Sequence, residues 1–108
     1  MQDLHKTKNN SWALFMGHLV IEKLAKALFV KRNGDYPPLI HDLRRLLEMS
    51  GEQLVTDKIV ILDTITRFNI RVRYDDYKNN FYKLCTESFT EEWVNHIKEC
   101  RKWIKSML

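Results

Sequence analysis

Ser11-Trp12-Ala13-Leu14-Phe15-Met16-Gly17-His18-Leu19-Val20-Ile21-Glu22-Lys23-Leu24-Ala25-Lys26-Ala27-Leu28-Phe29-Val30 is the stretch that decides the fold. Trp12, Phe15, Met16, Leu19, Leu24, Ala27 and Leu28 recur largely at three- and four-residue steps, the period of an amphipathic helix. Phe29 and Val30 widen that stripe, so the helix is expected to touch neighbours on more than one side. Ser11 fits an N-cap, which leaves the polar residues 1–10 as a frayed terminus. Lys31-Arg32 and Gly34 supply the cations and the glycine that close a helix.

The rest of the chain follows the same period. Pro37-Pro38 forces an extended connection. A short helix is expected over about His41 to Met49, with Leu43, Leu46 and Leu47 inward and Asp42 at its positive end. A third helix runs from Glu52 or Asp57 to Val72 on an inner stripe of Ile61, Ile65, Phe68 and Val72. Residues 75–88 are polar and aromatic, and read as a loop with one helical turn at Phe81 to Leu84. Ser88 and Glu91 fit a capping box that opens a last helix. Its stripe is Phe89, Trp93, Ile97, Cys100, Ile104 and Leu108, and Lys102 and Lys105 close it. The expectation is an all-α, up-and-down bundle of four or five helices over residues 11–108.

Composition agrees and narrows the function classes. A chain of 108 residues holds one core, and 3 glycines and 2 prolines leave few breakers. The longest apolar run, Trp12 to Met16, is too short to cross a bilayer, and the first ten residues lack the apolar core of a secretory signal. A cytoplasmic protein is the expectation. Cys85 and Cys100 read as a reduced pair, and His5, His18, His41 and His96 are too scattered for a zinc site. No cofactor is implied. Net charge is +4, which suits an anionic partner without requiring one.

The chemistry-bearing stretch is Arg67-Phe68-Asn69-Ile70-Arg71-Val72-Arg73-Tyr74-Asp75-Asp76. If it is helical, positions 67, 71 and 74 share a face, and like charges at that spacing repel. Asp63 is placed to pair with Arg67, Asp75 with Arg71 and Asp76 with Arg73, a charge ladder that would leave no cation free. The sharper reading joins the arginines to Ile70, Tyr74 and Tyr77, an apolar and aromatic patch suited to base stacking and phosphate pairing. His41 and Asp42 open the second helix; Asp42 sits where an anion would go, which favours a local packing role. Lys23 and Lys26 flank the first stripe as snorkelling cations, with Glu22 four residues before Lys26 as a partner. Trp93 and Trp103 read as core and edge of core.

His18-Leu-Val-Ile-Glu22-Lys23-Leu-Ala-Lys26-Ala27, then Pro37-Pro38 and His41-Asp42-Leu43, resemble the first half of a HEPN domain (higher eukaryotes and prokaryotes nucleotide-binding). Arg71-Val-Arg73-Tyr74-Asp75 and the closing helix near Thr90 resemble its second half, so the likeness covers about Ser11 to Leu108. The resemblance implies a helical bundle that usually dimerises, often a ribonuclease, and often encoded beside a minimal nucleotidyltransferase in a toxin–antitoxin-like pair. The ribonuclease signature of that family is an arginine with a histidine four to six positions after it. Here that position falls near Arg73 or Tyr74, and an arginine does not exchange protons near neutral pH.

Three functions are therefore expected in order. The first is a non-catalytic module, either nucleotide- or RNA-binding or the partner of a nucleotidyltransferase. Its candidate contacts are Arg67, Arg71, Arg73, Tyr74, His41 and Lys23. The second is a divergent ribonuclease using Arg67 with Tyr74 or His41. The third is a dimerisation scaffold whose arginines make only salt bridges. The wide apolar faces of the first and third helices point to a homodimer.

Overall fold

Apolar residues at helical spacing along most of the chain give a structure of five α-helices and no strand among the described residues. The computed structural model describes residues 4–108; the side chains of Leu4, His5 and Val72 lie outside the described residues, and with them Val72's expected place on the inner stripe. The helices are α1 (Leu4–Asn33), α2 (Leu43–Met49), α3 (Thr56–Thr66), α4 (Asp75–Leu84) and α5 (Glu87–Ser106), with a 3₁₀ turn at Ile70–Val72.

The 30 residues of α1 make a rod of about 45 Å at 1.5 Å per residue. Against it pack α5, α2 and α4, and the core lies between them. Leu14, Phe15, Ile21, Ala25 and Leu28 from α1 meet Leu43, Leu46 and Leu47 from α2, Leu62 and Ile65 from α3, and Ile97, Cys100 and Ile104 from α5. The closest approach is at Gly17. A Cβ there would stand 2.6 Å from Cδ1 of Ile97, so a side chain at this position would require the Ile97 side chain to shift. Burial pushes the thiol of Cys85 up to about 12 and that of Cys100 also upward, which makes both inert core residues.

Helix ends are set by specific groups. Gly34 takes φ +65° and its N–H bonds the Val30 carbonyl at 2.8 Å, closing α1. Asp42 caps α2 by accepting from the N–H of Arg45 at 3.2 Å. The N–H of Leu43 goes to Thr66 Oγ1 at 3.1 Å, which ties the start of α2 to the end of α3.

Several boundaries differ from the sequence expectation, each for a tertiary reason. The first helix starts at Leu4 rather than Ser11. Ser11 is buried and its hydroxyl donates to the Lys8 carbonyl at 2.7 Å, so it is an interior residue and not a cap. Contacts from the α4–α5 junction hold these polar turns: Asn10 donates to the Cys85 carbonyl at 3.0 Å, and Lys6 meets Glu87 at 3.3 Å. Of the expected frayed terminus, residues 1–3 lie outside the described residues. The second helix begins at Leu43, two residues after His41, because Asp42 is its cap.

The third helix ends at Thr66, not Val72. Phe68 and Ile70 are both buried, and two residues two apart cannot both face inward on one continuous helix. The chain therefore turns at residues 67–69, with Phe68 N–H bonded to the Ile65 carbonyl at 2.9 Å. The expected loop over 75–88 is mostly α4, since Tyr77, Phe81 and Leu84 recur at helical steps and Asp75 and Asp76 favour its N-terminus. Thr86, not Ser88, caps α5, with Oγ1 accepting from Phe89 N–H at 3.3 Å. Leu108, expected on the last inner stripe, is 42% exposed beyond the end of α5.

Candidate functional site

Phe15, His18, Glu22 and Lys26 follow one another at three- and four-residue steps, so they share one face of α1. His18 is fully buried; its Nε2–H donates to the His41 carbonyl at 3.3 Å and lies 3.6 Å from Glu22 Oε1. The same oxygen accepts from His41 Nδ1 at 2.9 Å, while Oε2 accepts from Lys26 Nζ at 3.1 Å. Burial of Glu22 would raise its pKa, but the hydrogen bonds from His41 and Lys26 outweigh that and hold the carboxyl below its ordinary value. Burial lowers the pKa of His18, so it stays neutral near pH 7 with Nδ1 lacking a partner. Both imidazoles turn to one carboxylate oxygen. Among the described residues no group of His, Cys, Asp or Glu is placed to hold a metal ion.

A second arrangement gathers around Tyr77 on α4. Its hydroxyl donates to the Arg67 carbonyl at 2.9 Å, and the Arg73 guanidinium stands over its ring at 5.2 Å. Arg73 Nε is buried without a hydrogen-bond partner. Arg71 lies over the Phe15 ring at 5.1 Å, which brings the turn after α3 onto the polar face of α1. Beside Arg67 opens a groove of about 320 Å³ walled by Phe68, Tyr77, Phe81, Phe89 and Trp93. Phe68 stacks on Phe81 at 5.4 Å and meets Trp93 edge-on at 5.7 Å, so this wall is continuous with the core.

The expected charge ladder is not formed. Asp63 Oδ2 is 3.6 Å from Arg44 Nη1 on α2, and Asp75 and Asp76 occupy the first turn of α4. Because α3 stops at Thr66, residues 67, 71 and 74 do not share a helix face, and the three arginines have no ion-pair partner among the described residues. Ile70, expected on an outer patch, is buried.

The structure thus brings Arg67 and Arg73 together around Tyr77, sets Arg71 on α1, and leaves Tyr74 90% exposed. His41 belongs to the Glu22 cluster. Lys23 joins neither group; it is exposed on the strip of α1 that carries Trp12, Met16 and Val20. Sequence reasoning missed the aromatic groove, whose signal was Tyr77-Phe81-Leu84. It also missed the meeting of His18, Glu22 and His41, for which a span of 19 residues gives no local signal.

A family model described as HEPN domain matches residues 1–107. Neither a curated protein nor a solved structure matches the chain.

Proposed function

The chain belongs to the HEPN domain family, and from that premise we propose that it is a non-catalytic module, either nucleotide- or RNA-binding or the partner of a separate nucleotidyltransferase. Nucleotide or RNA binding is the reading its residues favour. The observation that carries the reading is that Arg67, Arg71 and Arg73 lack carboxylate partners among the described residues, while Asp63 is taken by Arg44. Arg67 lines the aromatic groove, and Arg73 stands over Tyr77 in its wall. Guanidinium groups without carboxylate partners beside ring faces offer what a nucleotide needs, planar donors for phosphate and a surface for a base. The groove volume of about 320 Å³ lies at the lower end of small-molecule sites, about 300–1,000 Å³. No histidine follows Arg67, Arg71 or Arg73 at the four-to-six-residue spacing of the family's ribonuclease signature; the ring of His96 packs on Trp93 of the groove wall at 4.6 Å.

A homodimer in the cytoplasm goes with this reading. Trp12, Met16 and Val20 are 50, 46 and 41% exposed, and they line up at steps of four on α1. An apolar strip of that kind on a long helix suits burial against a second copy. No helix among the described residues is long and apolar enough to cross a membrane.

Titration of adenosine triphosphate and of a short single-stranded RNA into the protein tests the proposal. The variant Arg67→Ala/Arg71→Ala/Arg73→Ala is expected to lose at least tenfold in affinity, with wild-type binding falling steeply as salt rises. Unchanged affinity in that variant overturns the assignment, and RNA cleavage by the wild type that the variant lacks would replace it with a ribonuclease.

A further inference from the structure

Lys98, Arg101, Lys102 and Lys105 lie at i, i+3, i+4 and i+7 along α5 and form one exposed ridge. All four are exposed, and none has an ion-pair partner among the described residues. Each is a helix neighbour of two others, so the ridge is self-repelling in the free protein. Only Glu99, three positions before Lys102, is a carboxylate within helical reach, and the two make no ion pair.

The helix dipole does not account for the cluster. Its effect fades within the last turn, and of the four only Lys105 lies there. The Met107 carbonyl beyond that end already accepts from Lys31 Nζ at 3.3 Å. Lys98, Arg101 and Lys102 stand farther back, with no ion-pair partner among the described residues.

We propose that this ridge is a second binding surface, which takes the phosphate backbone of a single-stranded nucleic acid. The ridge presents cationic side chains alone. A protein interface is centred on apolar or aromatic anchors and depleted of lysine, and a membrane-surface helix needs apolar side chains to insert; this ridge offers neither. A phosphate backbone asks only for cations spread along its path. From Lys98 to Lys105 the ridge covers about 10 Å of helix, a match for roughly three phosphates at the spacing of about 3.4 Å per nucleotide in a stacked strand. Phe89 and Trp93, in the wall of the aromatic groove, are on the same helix but about one and a half to two and a half turns earlier and on its opposite face, so the ridge is a surface of its own. Nucleotide recognition at the arginine turn and backbone tracking along α5 are separate contacts and are tested separately.

Fluorescence anisotropy of a labelled oligouridylate, run across a salt series, reads the ridge. In Lys98→Ala/Arg101→Ala/Lys102→Ala/Lys105→Ala the affinity is expected to fall at least tenfold and the slope of log K against log salt to flatten by about 2, at about 0.7 per phosphate released. Adenosine triphosphate binding is expected to be unchanged in the same variant, which also shows that the variant is folded. The charge-keeping variant Lys98→Arg/Lys102→Arg/Lys105→Arg is expected to bind oligouridylate like the wild type. If the alanine variant stays within twofold of the wild type, or the wild type binds no oligouridylate, the inference fails. Ridge-dependent binding of polyglutamate in preference to oligouridylate also overturns it, in favour of an acidic protein partner. Loss of adenosine triphosphate binding in the triple-arginine variant alone bears on the groove and not on the ridge.

Discussion

Glu22 and His41 stand 19 positions apart in the chain and 2.9 Å apart in space, Oε1 to Nδ1, on either side of the α1–α2 junction. One carboxylate collects His41, Lys26 and the edge of His18, and so holds the extended segment after Pro37-Pro38 against α1. Replacing it with the neutral Glu22→Gln removes the charge from two hydrogen bonds, and a bond to a charged group contributes about 1.5–3 kcal/mol. An unfolding free energy lowered by that order, read as a lower urea midpoint at unchanged slope, is the expected result. A midpoint equal to the wild type would show the cluster to be ornamental to stability.

Acid should weaken the fold in two steps. The pKa of His18 is lowered from its ordinary 6.5, so below about that pH the unfolded chain takes up a proton that the folded chain refuses. Glu22 is held below its ordinary 4.5, and its contribution is present above that value and lost as pH falls through the folded pKa. Denaturant midpoints are thus expected to be level above neutrality, to decline below about 6.5, and to drop again in the carboxylate range. In His18→Gln the first decline should vanish. A wild-type midpoint that is flat from neutrality down to the carboxylate range contradicts a buried neutral His18.

Arg67 and Asp63 should be energetically independent. A double-mutant cycle on Asp63→Ala and Arg67→Ala is expected to show additivity within about 0.3–0.5 kcal/mol. The Asp63–Arg44 cycle should give about 0.2–1 kcal/mol, as exposed pairs do. Stronger coupling to Arg67 than to Arg44 would restore the charge ladder and undercut the binding proposal.

The α1 strip is tested by charge. Trp12→Lys/Met16→Lys is expected to sediment as a 13.0 kDa monomer, where the wild type sediments at twice that mass. Both positions are exposed, so the fold should survive with little change in thermal midpoint. A wild type that is monomeric at high concentration rules out the dimer.

The long helices were legible because their stripes repeat over many turns. On α5 the expected Ile97, Cys100 and Ile104 are buried, but on α1 the expected stripe is only partly the inner face. There Phe15 and Leu28 are buried, Trp12, Met16 and Ala27 are exposed, and Leu14, Ile21 and Ala25 fill the core instead. The turn from Arg67 to Tyr74 was not legible, because its charges imitate a helical ladder. The contrary signal was small: Phe68 and Ile70 are both apolar and two apart, which fits a turn whose two apolar residues both go inward. The first turns of α1 were misread for the opposite reason. They are polar, and their helicity comes from Asn10 and Lys6 reaching residues more than seventy positions away. The site divides likewise. The arginines were visible as residue types, but what they face depends on Tyr77 and Phe15, which reach them only through the fold.

At Gly17 a missing methyl group acts as a locating pin. Ile97 fills the space a side chain would take, so α5 cannot slide along α1 without losing that fit. Phe89, Trp93 and the four cations from Lys98 to Lys105 all ride on α5. Their position along α1, and so their spacing from Arg71 on Phe15, is indexed by the seat of the Ile97 side chain at Gly17. A single glycine in the middle of the longest helix therefore keeps two distant surfaces in step.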